Sequence, residues 1–373
     1  MVSACSCLSA ILVFNAFIVL ICFLRHSTAF LAGYSVFALV LLTGLCLLRV
    51  ALPFELSGAY VVRSAAVLPF IGRLIRFPFP SGRVRLTFGE ALLVLWAAGV
   101  VLFAVRDIAQ QRRFHSECAR FRHWDSGRVR LLASALNIKH TIFVTPDISI
   151  PFVTGVRRPV IFIPAFDYSD DDLSYILEHE AQHLRNLDPY IKLLFCVVKD
   201  VFWWNPASHI LFRELGAILE LRCDARLTDK ASQAERCGYL AALFTAVRYS
   251  MDAPPKCACA SAFVKGTNNM KQRFEVIVAH GSRKSVFSRC IVYLMIFLAF
   301  LSSYFVLLQP APCHESDSAE ISCLELLADE GLPVEAGGEG LPHSDPPAPA
   351  AALPAVRCDC PYCAVLTMQS CTV

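Results

Sequence analysis

The sequence predicts a mainly α-helical integral membrane protein, with four transmembrane helices and an α+β domain inserted between the third and the fourth. Composition is the first observation: 56% of the 373 residues are hydrophobic and only 17% are charged. Soluble domains are typically about 45–50% apolar and about 25% charged. The second observation is the presence of four long apolar runs. The third is the stretch of mixed polarity, residues 106–290, that separates the last two runs.

The four apolar runs approach the length of about 20 residues that a helix needs to cross the hydrocarbon core of a membrane. They are residues 8–24, 30–48, 91–105 and 291–308. No Lys or Arg precedes Arg25. The first run therefore lacks the basic start of a signal peptide, and we expect it to be a retained membrane helix.

Loop charges predict the orientation of these helices. Residues 106–130 carry seven Arg against three acids, and residues 281–289 carry three basic residues and no acid. Residues 309–373 carry ten acids and a single Arg. Because basic loops stay on the cytoplasmic side, residues 106–290 are expected to be cytoplasmic and the tail external. With three helices in residues 1–105, this orientation places the loop 50–90 outside the cell. The loop carries several Arg, so it departs from the rule that basic loops stay on the cytoplasmic side.

The C-terminal tail, residues 309–373, is predicted to be disordered. It is rich in Pro, Ala, Gly and acids, a composition that cannot build a packed core. Its CDCPYC cluster at residues 358–363 has no second Cys or His pair at zinc-finger spacing, so a metal site there is not favoured.

The inserted domain is predicted to begin with a basic helical connector, residues 106–136, and a β-hairpin, residues 140–164. The hairpin segment is rich in Ile, Val, Phe and Thr and is interrupted by Gly155, a pattern typical of two strands joined by a turn. Three prolines within it favour edge strands; they are Pro146, Pro151 and Pro159.

Three helices are predicted to follow. The first begins after Ser169, because a Ser N-cap followed by acids in the first turn marks the start of a helix. The second, residues 191–204, is very apolar and ends in two Trp, which suit the bilayer interface. Its Lys192, Lys199 and Asp200 argue against a membrane span. The third helix covers residues 207–227 and is opened by a proline.

The first of these helices contains the pattern His-Glu-x-x-His. His179 and His183 are four residues apart, so both imidazoles can face one metal ion. Glu180 is rotated by about 100° around the same turn. It can therefore reach an attacking water without ligating the metal, as a general base must. The alternative is a pair of surface histidines on a charged helix.

A third metal ligand is predicted on the third helix, where Glu220 and Asp224 stand four residues apart beside an apolar stripe. Acids are costly to bury without a partner. We interpret Glu220 as the third ligand and Asp224 as the acceptor that holds a ligand histidine in its tautomer. The alternative is that Glu220 pairs with Arg213 or Arg222 on the surface.

Asp188, nine residues after His179, is predicted either to hold a ligand histidine in the same way or to cap the helix that starts near Pro189. Three protein ligands would leave a fourth coordination position open for water, which catalysis requires.

These motifs resemble those of the BlaR/MecR family of bacterial membrane zinc peptidases. The matching segments are TGVRRPVIFIP (154–164), HEAQHLRNLD (179–188), FWWNP (202–206), ELRCD (220–224) and MKQRFEVIV (270–278). The resemblance covers nearly all of residues 1–308. It implies a cytoplasmic gluzincin-like zinc peptidase domain, in which His179, His183 and Glu220 bind one Zn²⁺ and Glu180 activates water.

The resemblance further implies a multi-pass protein of the bacterial cell membrane that cleaves peptide bonds in a signalling system. Its substrate would be itself or a cytoplasmic transcriptional repressor, for example one with a winged helix. Within the hairpin, Thr154, Gly155 and Val156 could hold an extended substrate by backbone pairing. The alternative is a strand that only covers the core.

The sequence departs from the family at its end. Residues 309–373 contain no Lys and therefore lack the Ser-x-x-Lys of a penicillin-binding sensor domain, so direct β-lactam binding is not expected. The net charge of +3 is too small to favour direct nucleic-acid binding. A catalytically inactive membrane scaffold that keeps the fold is the alternative function, although all four positions of the metal site are present.

Overall fold

The computed structural model describes residues 3–54, 58–78, 87–252, 267–279 and 285–311. The predicted disordered tail lies outside the described residues from position 312 onward, and so does its cysteine cluster.

Helices dominate the described part of the chain. They are α1 (Ala4–His26), α2 (Thr28–Tyr34), α3 (Val36–Ala51), α4 (Val67–Arg76), α5 (Phe88–Cys118), α6 (Gly127–Ala135), α7 (Asp170–Arg185), α8 (Asp188–Val201), α9 (Pro206–Thr228), α10 (Gln233–Asp252), α11 (Thr267–Val278) and α12 (Val286–Ser302). The strands are β1 (Tyr60–Ser64), β2 (Thr141–Thr145), β3 (Phe152–Thr154), β4 (Val160–Pro164) and β5 (Val306–Pro310).

Within the described residues, two helices are long and apolar enough to cross a membrane, namely α1 and α5. The second predicted run, 30–48, is divided into α2 and α3, which are bent by 99°. The bend falls at Ser35, whose φ of 89° breaks the helix while its side chain caps α3. If this bent pair forms one span, the described residues contain three candidate spans.

The fourth predicted run, 291–308, is helical only in part. Helix α12 has 17 residues and ends at Ser302, and strand β5 begins four residues later. Strand β5 pairs in parallel with β1, from Tyr60↔Val306 to Ser64↔Pro310. The predicted continuous helix was wrong here, since an apolar run does not by itself distinguish a helix from a strand whose partner is distant in sequence.

The predicted helical connector, 106–136, is also divided. Helix α5 continues from the apolar part of the chain to Cys118, and α6 starts only at Gly127. Between them, Trp124 forms an antiparallel bridge with Val144 of β2.

The sheet of the inserted domain has the strand order β2-β4-β3. The predicted hairpin is β3–β4, which is antiparallel, and β2 joins β4 in parallel. Gly155 forms the turn with a φ of 90°, and a Cβ there would lie 2.6 Å from the Arg158 carbonyl oxygen. The prediction of edge strands was wrong for β4, which is central. Of the three prolines used for this prediction, Pro159 precedes β4 and so removes no hydrogen bond from its ladder.

The three predicted helices of the domain are α7, α8 and α9. Ser169 caps α7 by accepting a hydrogen bond from the Asp172 amide, which confirms the predicted start. Helix α8 begins three residues earlier than predicted, at Asp188, directly after Leu187 in the left-handed conformation. Asn205 caps α9.

Two buried cores meet at these helices. The larger one joins α1, α3 and α9 through residues that include Phe14, Ile18, Leu39, Leu42, Leu215 and Ile218. The second lies between the sheet and α7 and includes Val144, Ile161, Ile176 and Leu177. Helix α9 thus packs against the apolar N-terminal helices and also against α7, which carries the His-Glu-x-x-His pattern.

Candidate metal centre

The three predicted ligands converge where α7 meets α9. The Nε2 atoms of His179 and His183 are 3.2 Å apart. Glu220 places Oε2 at 3.3 Å from His179 Nε2 and Oε1 at 3.5 Å from His183 Nε2. Both histidines are buried, whereas the Glu220 side chain keeps 32% of its surface exposed. The cluster is therefore enclosed on the histidine side and open on the glutamate side.

These separations fit a tetrahedral metal ion. When ligand bonds are about 2.0–2.1 Å long, neighbouring ligand atoms in a tetrahedron lie about 3.3–3.4 Å apart. Two imidazoles and one carboxylate also form the donor set of catalytic zinc sites. The side chains present could therefore hold zinc, with a fourth position left open.

His183 is fixed from behind by Asp188, which is 1% exposed at the start of α8. Asp188 Oδ2 lies 2.6 Å from His183 Nδ1, and Arg222 Nη2 donates to Asp188 Oδ1 at 2.6 Å. A carboxylate at Nδ1 holds the proton there and leaves the Nε2 lone pair for a metal. Asp188 thus contacts the candidate ligand His183, as one of the two predicted alternatives requires. The other alternative, that Asp188 caps the helix, was wrong, because Leu187 occupies the N-cap position and no side chain caps α8.

His179 is fixed through a tyrosine rather than directly by Asp224. The Tyr239 hydroxyl lies 2.7 Å from His179 Nδ1 and donates to Asp224 Oδ1 at 2.6 Å. Asp224 itself is 3.6 Å from His179 Nδ1. Asp224 is therefore linked to His179 through Tyr239 of α10, whose hydroxyl lies between them.

Arg273 of α11 completes the group. Its Nε and Nη2 each donate to Asp224 at 2.7 Å, and its Nη1 lies 3.2 Å from Glu220 Oε2. Within the described residues, Arg213 and Arg222 do not pair with Glu220, because Arg222 donates to Asp188 instead. The alternative in which Glu220 pairs with Arg213 or Arg222 on the surface was therefore wrong. The guanidinium next to Glu220 belongs to Arg273, which lies much farther along the chain.

The ionisable groups of the site shift one another's pKa values. Burial would lower the pKa of the His183 imidazole, but the carboxylates of Glu220 and Asp188 raise this pKa well above its ordinary value. Burial would likewise raise the pKa of the Glu220 carboxyl, but His183, His179 and Arg273 hold this pKa well below its usual range. Glu220 is therefore ionised and able to bind a cation.

Glu180 follows His179 on α7 and is buried. Burial raises the pKa of its carboxyl, which suits a group that must accept a proton and release it again. Its carboxylate makes no hydrogen bond to any other described residue, so its oxygens remain available to a water molecule.

The hairpin residues predicted to contact substrate lie beside α7. Thr154 ends β3 and is buried, Gly155 forms the turn, and the Val156 carbonyl accepts a hydrogen bond from Tyr190 of α8 at 2.8 Å. Strand β3 stands at an edge of the sheet and packs against α7. This position is compatible with substrate pairing, which stays a prediction.

Sequence reasoning missed three residues of the site: Tyr239, Arg273 and Cys223. Cys223 Sγ lies 3.2 Å from His183 Nδ1, next to Asp188. Arg273 had a signal, since it lies within the MKQRFEVIV segment, but nothing in that segment specifies its contacts. Tyr239 is one aromatic residue on a helix of mixed polarity, and only the packing of α10 on α7 reveals its role.

These features define a class: a mostly helical protein with candidate membrane spans and a candidate metal centre on a His-Glu-x-x-His helix. Residues 81–277 match the family model described as BlaR1 peptidase M56. The match covers more than half of the chain, so the chain belongs to this family. Because the family is one of metallopeptidases, membership also implies a metal ion.

Individual relatives align over shorter segments. The regulatory protein BlaR1 of Bacillus licheniformis is 34% identical over 82 residues, which are 21% of this chain and 14% of that protein. The methicillin resistance mecR1 proteins of Staphylococcus aureus and Staphylococcus epidermidis are each 30% identical over 105 residues, 27% of this chain and 18% of theirs. The alignments thus span less than a fifth of the length of these relatives.

Proposed function

We propose that this protein is a membrane-embedded zinc metalloendopeptidase of a bacterial signalling system. The observation that carries the proposal is the convergence of His179, His183 and Glu220, with both imidazoles oriented from behind by buried hydrogen-bond partners. A site that had lost its function would not be expected to keep these hydrogen-bond partners in place, since they contribute to metal affinity rather than to a generic fold.

In this proposal, His179, His183 and Glu220 hold one zinc ion. Zinc, when bound, supplies a Lewis acid that polarises the scissile carbonyl and lowers the pKa of a water molecule. Asp188 and the pair Asp224–Tyr239 keep the two imidazoles in the tautomer that ligates through Nε2.

Glu180 is the general base. Its carboxylate accepts the proton of the attacking water and passes it to the leaving amine. Burial raises the pKa of this carboxyl, which favours its acceptance of a proton. Residues 154–156 would align an extended substrate along the free edge of β3. Enclosure of the histidine side limits the approach of substrate to the side where Glu220 is exposed.

The proposed topology has three spans in residues 1–105, a cytoplasmic peptidase domain in 106–290, a fourth span in 291–308 and an external tail in 309–373. The basic flanks of α5 and α12 support this orientation. The fourth span would be formed by α12, whose 17 residues are at the lower limit for crossing a bilayer. The gluzincin-like fold and the location in the bacterial cell membrane belong to the same proposal.

The proposed substrate is a protein: the chain itself or a cytoplasmic transcriptional repressor, such as a winged-helix protein. The names of the relatives support a regulatory role, since one is a regulatory protein and the others are methicillin resistance proteins. Direct binding of β-lactams or nucleic acid is not proposed.

Two measurements test this function. The purified protein, incubated with a candidate repressor in detergent, should cut it at one internal bond, and removal of zinc by a chelator should stop the reaction. A reporter fused after Leu308 should be detected outside the cell. A catalytically inactive scaffold would bind the repressor without cutting it, and a reporter found inside would contradict the proposed orientation.

A further inference from the structure

Helices α8 and α9 form a hairpin whose tip, residues 202–205, lies against the middle of α1. Asn205 Nδ2 donates to Asn15 Oδ1 at 2.8 Å. Asn15 is the central residue of α1, with eleven helical residues on each side. The neighbouring rings of Phe14 and Phe202 are also in contact, with centroids 5.6 Å apart. The tip is therefore level with the midpoint of a helix that is long enough to span a membrane.

The same tip lies against the middle of the apolar part of α5. Trp96 Nε1 donates to the Val201 carbonyl at 2.9 Å, and Trp203 Nε1 donates to the Trp96 carbonyl at 3.2 Å. The Trp203 indole covers Gly99, where a Cβ would lie 2.2 Å from the ring. The contacts with α1 and the contacts with α5 thus place the hairpin tip at the same depth, and each set does so without the other. If α1 and α5 cross a bilayer, the tip lies near its midplane.

The far end of the hairpin carries the candidate metal centre. A helix rises 1.5 Å per residue, so Glu220 lies about 22 Å along α9 from Asn205. Half of the hydrocarbon core is about 15 Å thick. Arg25, in the last turn of α1, pairs with Glu214 at 2.8 Å, which shows that α1 and α9 run side by side over this distance. The metal centre would lie just beyond the hydrocarbon, at the depth of the lipid headgroups.

Helix α8 has an apolar face without a partner among the described residues. Leu193, Leu194 and Val197 are each more than half exposed. Trp204 of the tip contacts the Phe202 ring but is also nearly half exposed. Helix α8 packs beside α5, and no residue of the apolar window of α5 is buried. The two exposed apolar surfaces are therefore neighbours at one depth, and lipid acyl chains are the partner that fits both of them.

The charged residues of α8 had argued against membrane insertion. Lys199 is only 6% exposed and pairs with Asp107 of α5 and with Asp200, the latter at 2.9 Å. Charges inside a membrane are tolerated when they face the protein and pair with one another. Lys192 is exposed but lies about 14 Å from the tip along the helix, where its side chain can extend to the headgroups.

From these observations we infer that α8 and α9 form a re-entrant hairpin. It is inserted to about the bilayer midplane from the side of the metal centre, with the exposed face of α8 against lipid acyl chains. The two continuous helices cross the bilayer beside it, whereas the hairpin enters and leaves on one side.

The wild-type protein in phosphatidylcholine vesicles tests this inference. A small fraction of the lipid carries a photoactivated diazirine, either at the acyl-chain end or at the headgroup, and labelled residues are mapped by mass spectrometry. The acyl-end probe should label Val197 and Trp204 as strongly as Val101 on α5. Leu131 of α6, which is apolar and 73% exposed, is the matched control and should remain at background.

The headgroup probe should label the start of α8 near Tyr190 and leave Val197 unlabelled. If the acyl-end probe labels Val101 but leaves Val197 and Trp204 at the level of Leu131, the inference is wrong. That outcome would mean that another protein surface, such as a second copy of the chain, covers this face. Because wild-type protein is used, no variant has to fold and no activity is required.

Discussion

At the residue scale, the candidate centre depends on what stands behind each ligand. His183 has Asp188 at its Nδ1, and His179 has Tyr239. A neutral imidazole carries one proton, so an acceptor at Nδ1 determines that Nε2 is the atom presented to a metal. The orientation of both candidate ligands is therefore set by side chains of the protein itself.

Asp188→Asn should weaken zinc binding by about 10–100-fold, as loss of a partner behind a ligand histidine typically does. The amide keeps the size of the side chain but removes the charge that fixes the His183 tautomer and pairs with Arg222. Competition with a chromophoric chelator measures the affinity. Asp125→Asn, a half-exposed acid paired with Arg130, is the control and should bind zinc like wild type.

The pattern of the ligands could be predicted from sequence, whereas their supporting residues could not. His179 and His183 follow from helical spacing, and Glu220 follows from an acid beside an apolar stripe. Tyr239 and Arg273 come from helices α10 and α11, and no local pattern encodes which atoms they meet. The interposed tyrosine explains why Asp224 is farther from His179 than a direct acceptor would be.

At the element scale, α8 links the metal centre to a candidate membrane helix. It begins at Asp188, behind His183, and reaches Lys199, which pairs with Asp107 of α5. A shift of α5 along its axis would therefore act on the helix that positions a metal ligand.

Lys199→Met should strongly destabilise the protein, by about 3–5 kcal/mol, because it leaves Asp200 as a buried carboxylate without a cation among the described residues. Asp107 would keep only the exposed Arg106. The methionine keeps most of the volume of the side chain. Lys192→Met, at an exposed position of the same helix, should change stability by about 0.5 kcal/mol or less. Thermal unfolding in detergent compares them, and equal midpoints would show that the buried ion pair is unimportant.

Gly99→Ala should also lower stability, by about 1–3 kcal/mol, because the new methyl group would overlap the Trp203 ring. Gly44→Ala in α3 is the matched control, since a Cβ there meets nothing within 4 Å. In a helix that exchange should be neutral or stabilising by up to about 1 kcal/mol. If both variants unfold at the wild-type temperature, the close contact between α5 and the hairpin tip does not exist in solution.

Element boundaries were predictable only where local signals decide them. The Ser169 cap and the helix it starts are encoded within a few residues. The end of α12 is not, because β5 forms by pairing with β1, about 240 residues earlier in the chain. The central position of β4 likewise depends on β2, which the predicted hairpin did not include as a separate strand.

At the scale of the whole molecule, α9 joins the candidate metal centre to the apolar N-terminal helices. Its apolar residues belong to the core shared with α1 and α3, while Glu220 and Asp224 belong to the metal centre. The family match, which begins before α5 and ends within α11, includes α9 and the candidate metal centre but not α1 and α3.

The central claim, a zinc endopeptidase that uses Glu180 as its base, is tested most directly by Glu180→Gln. Zinc content and cleavage of the protein itself, or of a repressor, are measured on the same preparations as wild type. We expect one zinc per chain in both proteins and cleavage by wild type alone, because the amide cannot accept the proton of the attacking water. Equal cleavage by both proteins would contradict this claim.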